Sequence, residues 1–351
     1  MAHGALLLDT LTRPDRYVTA WRLTRAGQVA AVGADWAWPD RVGAAAVRLG
    51  LGRNRYLVPP GLYALGAPGP DSPVLATANF KLTFDVVRRD VRGLDAWLLV
   101  LDTRGVNVWC AAGKGTFSTA ELIRRIQGTG LERLVSPRRL IVPQLGAPGV
   151  AGHEVRAATG FTVVFGPVRA RDLPAFLQAG GKATPGMRRV DFPVRDRLAV
   201  SLVEWTRGLP SLGLVLVGLF LLAGFGSGVF SLERAWQGAL AGWVACLLGF
   251  VAGNGLVPLL LPWLPGRAFG LKGAEAGAVA GLAGQALAGG WAMGLGLWLG
   301  AVAVGSWYGM HFTGASTFTS PSGVEREMRR AIPLQLAGGL LALILWRAGL
   351  G

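Results

Sequence analysis

Ala96-Trp-Leu-Leu-Val-Leu-Asp-Thr103 and, after three residues, Asn107-Val-Trp-Cys-Ala-Ala-Gly-Lys114 carry the reading of this chain. The run Ala96–Leu101 is continuously apolar, as expected of a strand covered on both faces of a parallel sheet. Asn107 is a good helix N-cap, its side chain able to accept from the N–H of Cys110. Cys110 then falls in the first helical turn, where the helix dipole and Lys114 four residues on both favour a thiolate. Ala111, Ala112 and Gly113 have almost no bulk, so a broad flat ligand can lie on the turn. Gly113 and Gly115 end the helix early, and Ser118 with Glu121 forms a capping box for the next one. The segment reads as a short, detached helical turn presenting one sulfur.

Outward from it, strand-like and helical patterns alternate. Strands are expected at 72–78, 96–101, 140–142 and 161–165, and helices from Asn79 to Val91, around 122–126, at 150–158 and at 172–178. Such alternation predicts an α/β domain with a mainly parallel sheet. Ligands in that architecture bind beyond the carboxyl ends of the strands. Those ends hold Thr77 and Asn79, Asp102 and Thr103, Gln144, Leu145 and Gly146, and Gly166.

The charge balance divides the chain. Residues 1–198 hold 27 Lys and Arg against 15 Asp and Glu, whereas residues 199–351 hold 8 against 5. The second part is mostly Leu, Gly, Ala, Val and Trp, and only 16% of the whole chain is charged. A basic polar half joined to an apolar half reads as a membrane protein with a cytoplasmic head. The arginines are dispersed and form no stripe with interleaved aromatics, so nucleic acid is not an expected partner. Met1 to Asp9 has no basic start and too short an apolar run for a signal peptide. Residues 1–50 give no clear reading, 51–198 form the cytoplasmic domain, and 199–351 form a transmembrane domain of about five helices.

The five spans are expected at 209–230, 235–264, 273–289, 290–310 and 332–346. With the N-terminus inside, Arg267 and Lys272 lie in one cytoplasmic loop and Arg326, Arg329 and Arg330 in another, as the positive-inside rule requires. Trp291, Trp307 and Tyr308 read as interfacial anchors. Gly273, Gly277 and Gly281 repeat at the spacing of close helix packing. Glu275 reads either as an ion or proton site or as the i+3 partner of Lys272.

Two cysteines and no CxxC pair exclude a disulfide scaffold, a cysteine zinc site and an iron–sulfur cluster. As a phosphate loop the 107–115 segment fails, because Gly115 stands where Ser or Thr is needed and no first glycine is in place. As a nucleophile Cys110 lacks an obvious base, His153 being the only histidine in the domain beyond His3. Two readings stay open on the residues alone: a single soft axial ligand to a metal in a planar macrocycle, and a small buried cysteine in a tight turn.

Asn107-Val-Trp-Cys-Ala-Ala-Gly-Lys114 resembles the cap-helix signature of the HgcA family, the membrane-bound corrinoid proteins of microbial mercury methylation. Arg55-Tyr56, Pro60-Gly-Leu-Tyr63, Ser72-Pro-Val-Leu75, Leu101-Asp-Thr103, Pro143-Gln-Leu-Gly146, Gly166-Pro-Val-Arg169 and Phe312-Thr-Gly-Ala-Ser316 look like further landmarks. The resemblance runs over about residues 40–351. Ser118 departs from it, standing where the family pattern has Gly. It implies an α/β Rossmann-like corrinoid-binding domain, similar to that of the acetogen corrinoid iron–sulfur protein, followed by an all-α transmembrane bundle. It implies Cys110 as the lower axial ligand of a corrinoid cobalt, the catalytic residue and sole metal ligand. Asn107, Val108, Trp109, Ala111, Ala112, Gly113 and Lys114 would form the cap helix. It further implies methyl transfer to Hg(II), reduction by a ferredoxin-like protein with two [4Fe–4S] clusters, and remethylation from a methyl donor protein or methyl-tetrahydrofolate. The implied location is the cytoplasmic membrane, multi-pass, with the corrinoid domain facing the cytoplasm.

Overall fold

The computed structural model describes residues 17–226, 229–316, 318–319 and 321–350. The expectations for Met1 to Asp9 lie outside the described residues. The chain forms two compact units that divide at Val190/Asp191.

The first unit is built on a seven-stranded mixed sheet. In chain order it holds β1 (Val18–Thr24), β2 (Gly27–Val32), α1 (Trp38–Arg48), β3 (Gly61–Leu65), β4 (Val74–Ala78), α2 (Lys81–Asp90) and β5 (Ala96–Leu101). There follow α3 (Val108–Gly113), α4 (Thr119–Gly128), β6 (Arg139–Val142), α5 (Gly152–Thr159), β7 (Thr162–Phe165) and α6 (Leu173–Gln178). The spatial order is β1-β2-β3-β5-β4-β6-β7. Strands β4 to β7 are mutually parallel, so their carboxyl ends share one edge. Each element expected between residues 72 and 178 is present within a few residues of its place.

Residues 18–32 belong to this sheet. β1 and β2 form an antiparallel hairpin, β2 pairs parallel with β3, and β3 runs antiparallel to β5. The sheet is therefore mixed: the half that leads to Cys110 is parallel throughout, and the other half combines two antiparallel pairings with the parallel β2–β3 pair. Strand alternation sends Val74, Ala76, Ala78, Leu99 and Leu101 to one face, under α3, α4 and α5. Leu75, Leu98 and Val100 face the other side with Phe84, Val87 and Phe176 from α2 and α6.

The second unit is helical: α7 (Val194–Gly224), α8 (Leu232–Val251), a π-turn at Ala252–Leu256 running into α9 (Val257–Leu260), then α10 (Phe269–Gly284), α11 (Trp291–His311) and α12 (Pro321–Ala348). Among the described residues, three helical stretches are long and apolar enough to cross a membrane: Val194–Gly224, Leu232–Leu260 and Ser322–Ala348.

Several local expectations are overturned. Lys272 is not in a loop but in α10, buried, with Nζ donating to the carbonyl oxygens of Leu261 and Leu264. Its ammonium is thereby satisfied without Glu275, whose Oε2 is buried with no hydrogen-bond partner among the described residues. Arg326, Arg329 and Arg330 lie within α12, because that helix begins well before the apolar run. Tyr308 is an interior residue rather than an interfacial anchor. It is 4% exposed, and its hydroxyl lies 3.1 Å from the Gly208 carbonyl oxygen and 3.0 Å from Ser211 Oγ.

Candidate functional site

The site begins with β5, whose last residue Leu101 leads into a turn at the carboxyl edge of the sheet. Asn79, at the end of the neighbouring β4, organises that turn. Its Oδ1 accepts from the backbone N–H groups of Thr103 (3.1 Å) and Gly105 (3.0 Å). Its Nδ2 donates to Asp102 Oδ1 at 3.3 Å. The Thr103 hydroxyl lies 2.8 Å from Asn79 Oδ1 and 2.6 Å from the Val106 carbonyl oxygen, its one proton able to serve either. Arg104 takes a left-handed conformation with φ 56°, and Gly105 follows with φ 70°.

Out of this turn comes α3. Asn107 caps it as the sequence predicts, Oδ1 accepting from the Cys110 N–H at 2.9 Å. The helix is six residues long and stops at Lys114. Phe117 folds beneath it, fully buried, with its N–H and that of Thr116 donating to the Ala111 carbonyl oxygen. A 3-10 turn at Gln144–Gly149 packs against the same residues. A Cβ on Gly146 would stand 2.6 Å from the Phe117 ring, and one on Gly149 would strike the Phe117 carbonyl oxygen. Both glycines are required by this close approach.

Cys110 is exposed, which removes the reading of a small buried cysteine. Beside it Gly113, Lys114 and Gly115 are exposed, and a Cβ on Gly113 or Gly115 would meet nothing within 4 Å. Asn107 and Trp109 are half-buried. The face that Cys110 presents is thus open at Gly113 and Gly115, with the Lys114 side chain one turn on. A planar macrocycle carrying a soft metal fits such a face, since thiolate sulfur suits soft metals and the two glycines add no bulk.

Of the sixteen residues expected at the site, half lie elsewhere than on a surface. Val108, Ala111 and Ala112 point into the core beneath α3, so Ala111 and Ala112 are small in order to let the helix settle on the 144–149 turn, not to seat a ligand. Thr77, Asn79 and Thr103 are buried, at 0%, 2% and 0% exposure. Thr77 follows Leu75 on the face away from α3. Gly146 and Gly166 are buried where a Cβ would crowd Phe117 and Ile141. Asp102, Gln144 and Leu145 are half-buried at the same edge as α3, and Gln144 Oε1 accepts from Arg188 at 2.9 Å. A broad groove of about 710 Å3, lined by Arg22, Arg25, Trp97 and Arg133 among others, contains none of the sixteen.

Glu121 is placed where the capping box expected it but does a different job. Ser118 caps α4 by accepting from the Glu121 N–H, but Glu121 does not reach back to complete a capping box. Its buried carboxylate turns the other way, Oε1 accepting from the Asp102 N–H at 2.7 Å while Arg124 and Arg125 pair with it. Burial works to raise the Glu121 carboxyl, but the Asp102 N–H and the two guanidiniums outweigh it and hold the group below the ordinary range. The i+3 and i+4 arginines were the signal that this acid was already engaged.

Residues 53–177, the stretch that holds this geometry, match the family described as CO dehydrogenase/acetyl-CoA synthase delta subunit. The acetyl-CoA decarbonylase/synthase complex subunit gamma of Methanopyrus kandleri is 38% identical over 126 residues, 35% of this chain and 27% of that protein. The corresponding subunit of Archaeoglobus fulgidus is 36% identical over 128 residues, 36% and 27% of the two chains. The corrinoid/iron–sulfur protein large subunit of Moorella thermoacetica is 32% identical over 120 residues, 34% and 26% of the two. The chain therefore spans about a quarter of the length of the curated relatives it matches. The likeness covers the Cys110 half of the sheet, not the β1–β2 hairpin or the helical unit.

Proposed function

We propose that this chain is a membrane-anchored corrinoid protein that passes a methyl group to Hg(II), forming methylmercury. The observation that carries the reading is the exposed Cys110 sulfur on its capped six-residue helix, in a stretch similar to the large subunit of a corrinoid/iron–sulfur protein. The domain around it is Rossmann-like and would take a cobalamin-type corrinoid, with Cys110 as the residue that would hold its cobalt. When bound, the corrinoid supplies a cobalt centre that accepts a methyl group and gives it up to a soft electrophile. Cys110 contributes a soft anionic donor. Asn107 fixes the first turn that aims it, and Gly113 and Gly115 keep the approach clear.

A ferredoxin-like protein with two [4Fe–4S] clusters serves as reductant, and a methyl donor protein or methyl-tetrahydrofolate restores the methyl group. The helical unit crosses the cytoplasmic membrane five times and holds the corrinoid domain on the cytoplasmic side. A second reading is favoured by the names of the relatives, which belong to acetyl-CoA synthase systems: a membrane-anchored methyl carrier in one-carbon metabolism.

Purified full-length protein separates the two, and both from a membrane transporter or sensor with a ligand-binding head. Wild type should bind a corrinoid, and its spectrum should change in Cys110→Ala. Methyl-loaded protein mixed with Hg(II) should then yield methylmercury. Corrinoid binding without transfer to Hg(II), but with transfer to a thiol or folate acceptor, selects the carrier. No corrinoid binding refutes both.

A further inference from the structure

We propose that Asn79 is the positioning residue of the site: it fixes the 102–107 turn in one conformation and thereby sets where Cys110 points. The inference rests on the proposed corrinoid reading for its consequence at the metal, not for its test. Asn79 was a candidate ligand contact on sequence grounds, yet at 2% exposure it has no surface to offer one. Its side chain is committed instead, Oδ1 to the Thr103 and Gly105 N–H groups and Nδ2 to Asp102 Oδ1.

The turn needs such a brace. Arg104 is the one described non-glycine residue with positive φ, at 56°, and it is followed at once by a left-handed Gly105. Two successive left-handed residues persist only where the surroundings over-determine them. The N–H groups on either side of Arg104, those of Thr103 and Gly105, converge on one oxygen, Asn79 Oδ1. The Arg104 N–H itself donates to Asp102 Oδ1 at 3.1 Å, the atom that Asn79 Nδ2 also holds. A six-residue helix has too few internal hydrogen bonds to fix its own direction. Its buried face rests on Phe117 and the 144–149 turn, and its entry, the end that carries Cys110, is fixed by the turn that delivers it.

The test uses the full chain in detergent without corrinoid, followed by hydrogen exchange and by the rate at which N-ethylmaleimide alkylates Cys110 in a Cys246→Ala background. Asn79→Ala should speed exchange across residues 102–111 by about tenfold or more, the equivalent of one net hydrogen bond, and change Cys110 alkylation severalfold. Segments 96–101 and 119–128 should stay near wild type. Unchanged exchange at 102–111 overturns the proposal, as does an equal rise in all three segments or an unchanged rate of Cys110 alkylation. If Asn79→Ala does not accumulate, Asn79→Ser, whose hydroxyl is too short to reach both the Thr103 and Gly105 N–H groups, is read by the same criteria, and no change at 102–111 overturns the proposal. A wild-type chain that binds no corrinoid would sink the functional reading and leave this one standing.

Discussion

Lys81→Met should cost this protein about 3–5 kcal/mol, a large part of the 5–15 kcal/mol that a domain usually has. Lys81 Nζ lies 2.6 Å from Asp40 Oδ1 and 2.6 Å from Asp85 Oδ2. Arg88 closes the ring, Nε donating to Asp85 Oδ1 at 2.8 Å and Nη2 to Asp40 Oδ2 at 2.7 Å. Its Nη1 holds the carbonyl oxygens of Gly33 and Asp35, both at 2.7 Å. All four side chains are at most 8% exposed, the two charges of each sign cancel, and every carboxylate oxygen has a cationic partner. Met fills much the same volume but leaves a buried net charge of −1 and two orphaned oxygens. The damage should concentrate where α1 meets α2, because Asp40 is the only member of the ring on the N-terminal side.

Burial works to raise the Asp40 carboxyl, but hydrogen bonds and charge from Lys81 and Arg88 hold it below the ordinary value. Its contribution is therefore fully present above about pH 4 and is lost as pH falls through the lowered folded value. Pulse proteolysis against urea on the full chain measures it. Arg92→Met, which breaks only an exposed pair with Asp35, is the control and should stay within about 1 kcal/mol. A Lys81→Met loss no larger than that of Arg92→Met would refute the argument that the ring is an energetic lock.

Cys110→Ala should fold and insert normally, since the side chain is exposed, while abolishing methyl transfer; Cys246→Ala, at a buried thiol packed among Leu212, Phe250 and Tyr308, should keep most activity in a whole-cell assay. Asn107→Ala should cost about 1 kcal/mol locally, read as faster exchange at the Cys110 amide. Gly149→Ala should destabilise the turn beneath α3, whereas Gly113→Ala should leave apo stability unchanged, both read by pulse proteolysis. Because the Glu121 carboxyl is held below about 4.5, the clamp on Asp102 should persist as pH falls through 4.5 and release only below it. Hydrogen exchange at residue 102, corrected for its intrinsic pH dependence, gives the midpoint.

The parallel half of the sheet was legible because each of its strands is an unbroken apolar run bounded by turn residues. β1 to β3 were not. β1 (Val-Thr-Ala-Trp-Arg-Leu-Thr) exposes Trp21 and Leu23, and β3 is five residues long beside Pro59 and Pro60, so neither has the signature of a buried strand. At the site, the position of Cys110 and its cap were legible because they depend on contacts three residues apart. The division of the remaining candidates into exposed and buried was not. It depends on Phe117 and the 144–149 turn arriving from elsewhere in the chain, which turned Ala111, Ala112 and Gly146 from a platform into packing surface. Asn79 was singled out for the right location and the wrong contact.

The helical unit sharpens the same point. Hydropathy and length together pick out three crossing stretches, and α10 and α11 fall outside them. At 16 residues α10 is about 24 Å long, short of the roughly 30 Å hydrocarbon core. Yet half of its residues are buried, as are nearly half of those in α11; the apolar window that contains α8 matches this at 50%, whereas those of α7 and α12 reach only 22% and 17%. Helices α10 and α11 meet glycine to glycine: a Cβ on Gly277 would stand 2.5 Å from the Ala301 carbonyl oxygen, and one on Gly309 would stand 2.7 Å from Gly273 Cα. A helix enclosed by protein need not be uniformly apolar, and small residues that admit backbone contact serve it better than leucine. On that ground α10 and α11, with α8, form the interior of the proposed five-span bundle. Gly277→Leu should then disrupt the unit, seen as loss of monodisperse protein in detergent. Gly218→Leu in α7, where a Cβ meets nothing within 4 Å, should be tolerated. Equal tolerance of the two substitutions would show that the glycine seam does not hold the bundle together.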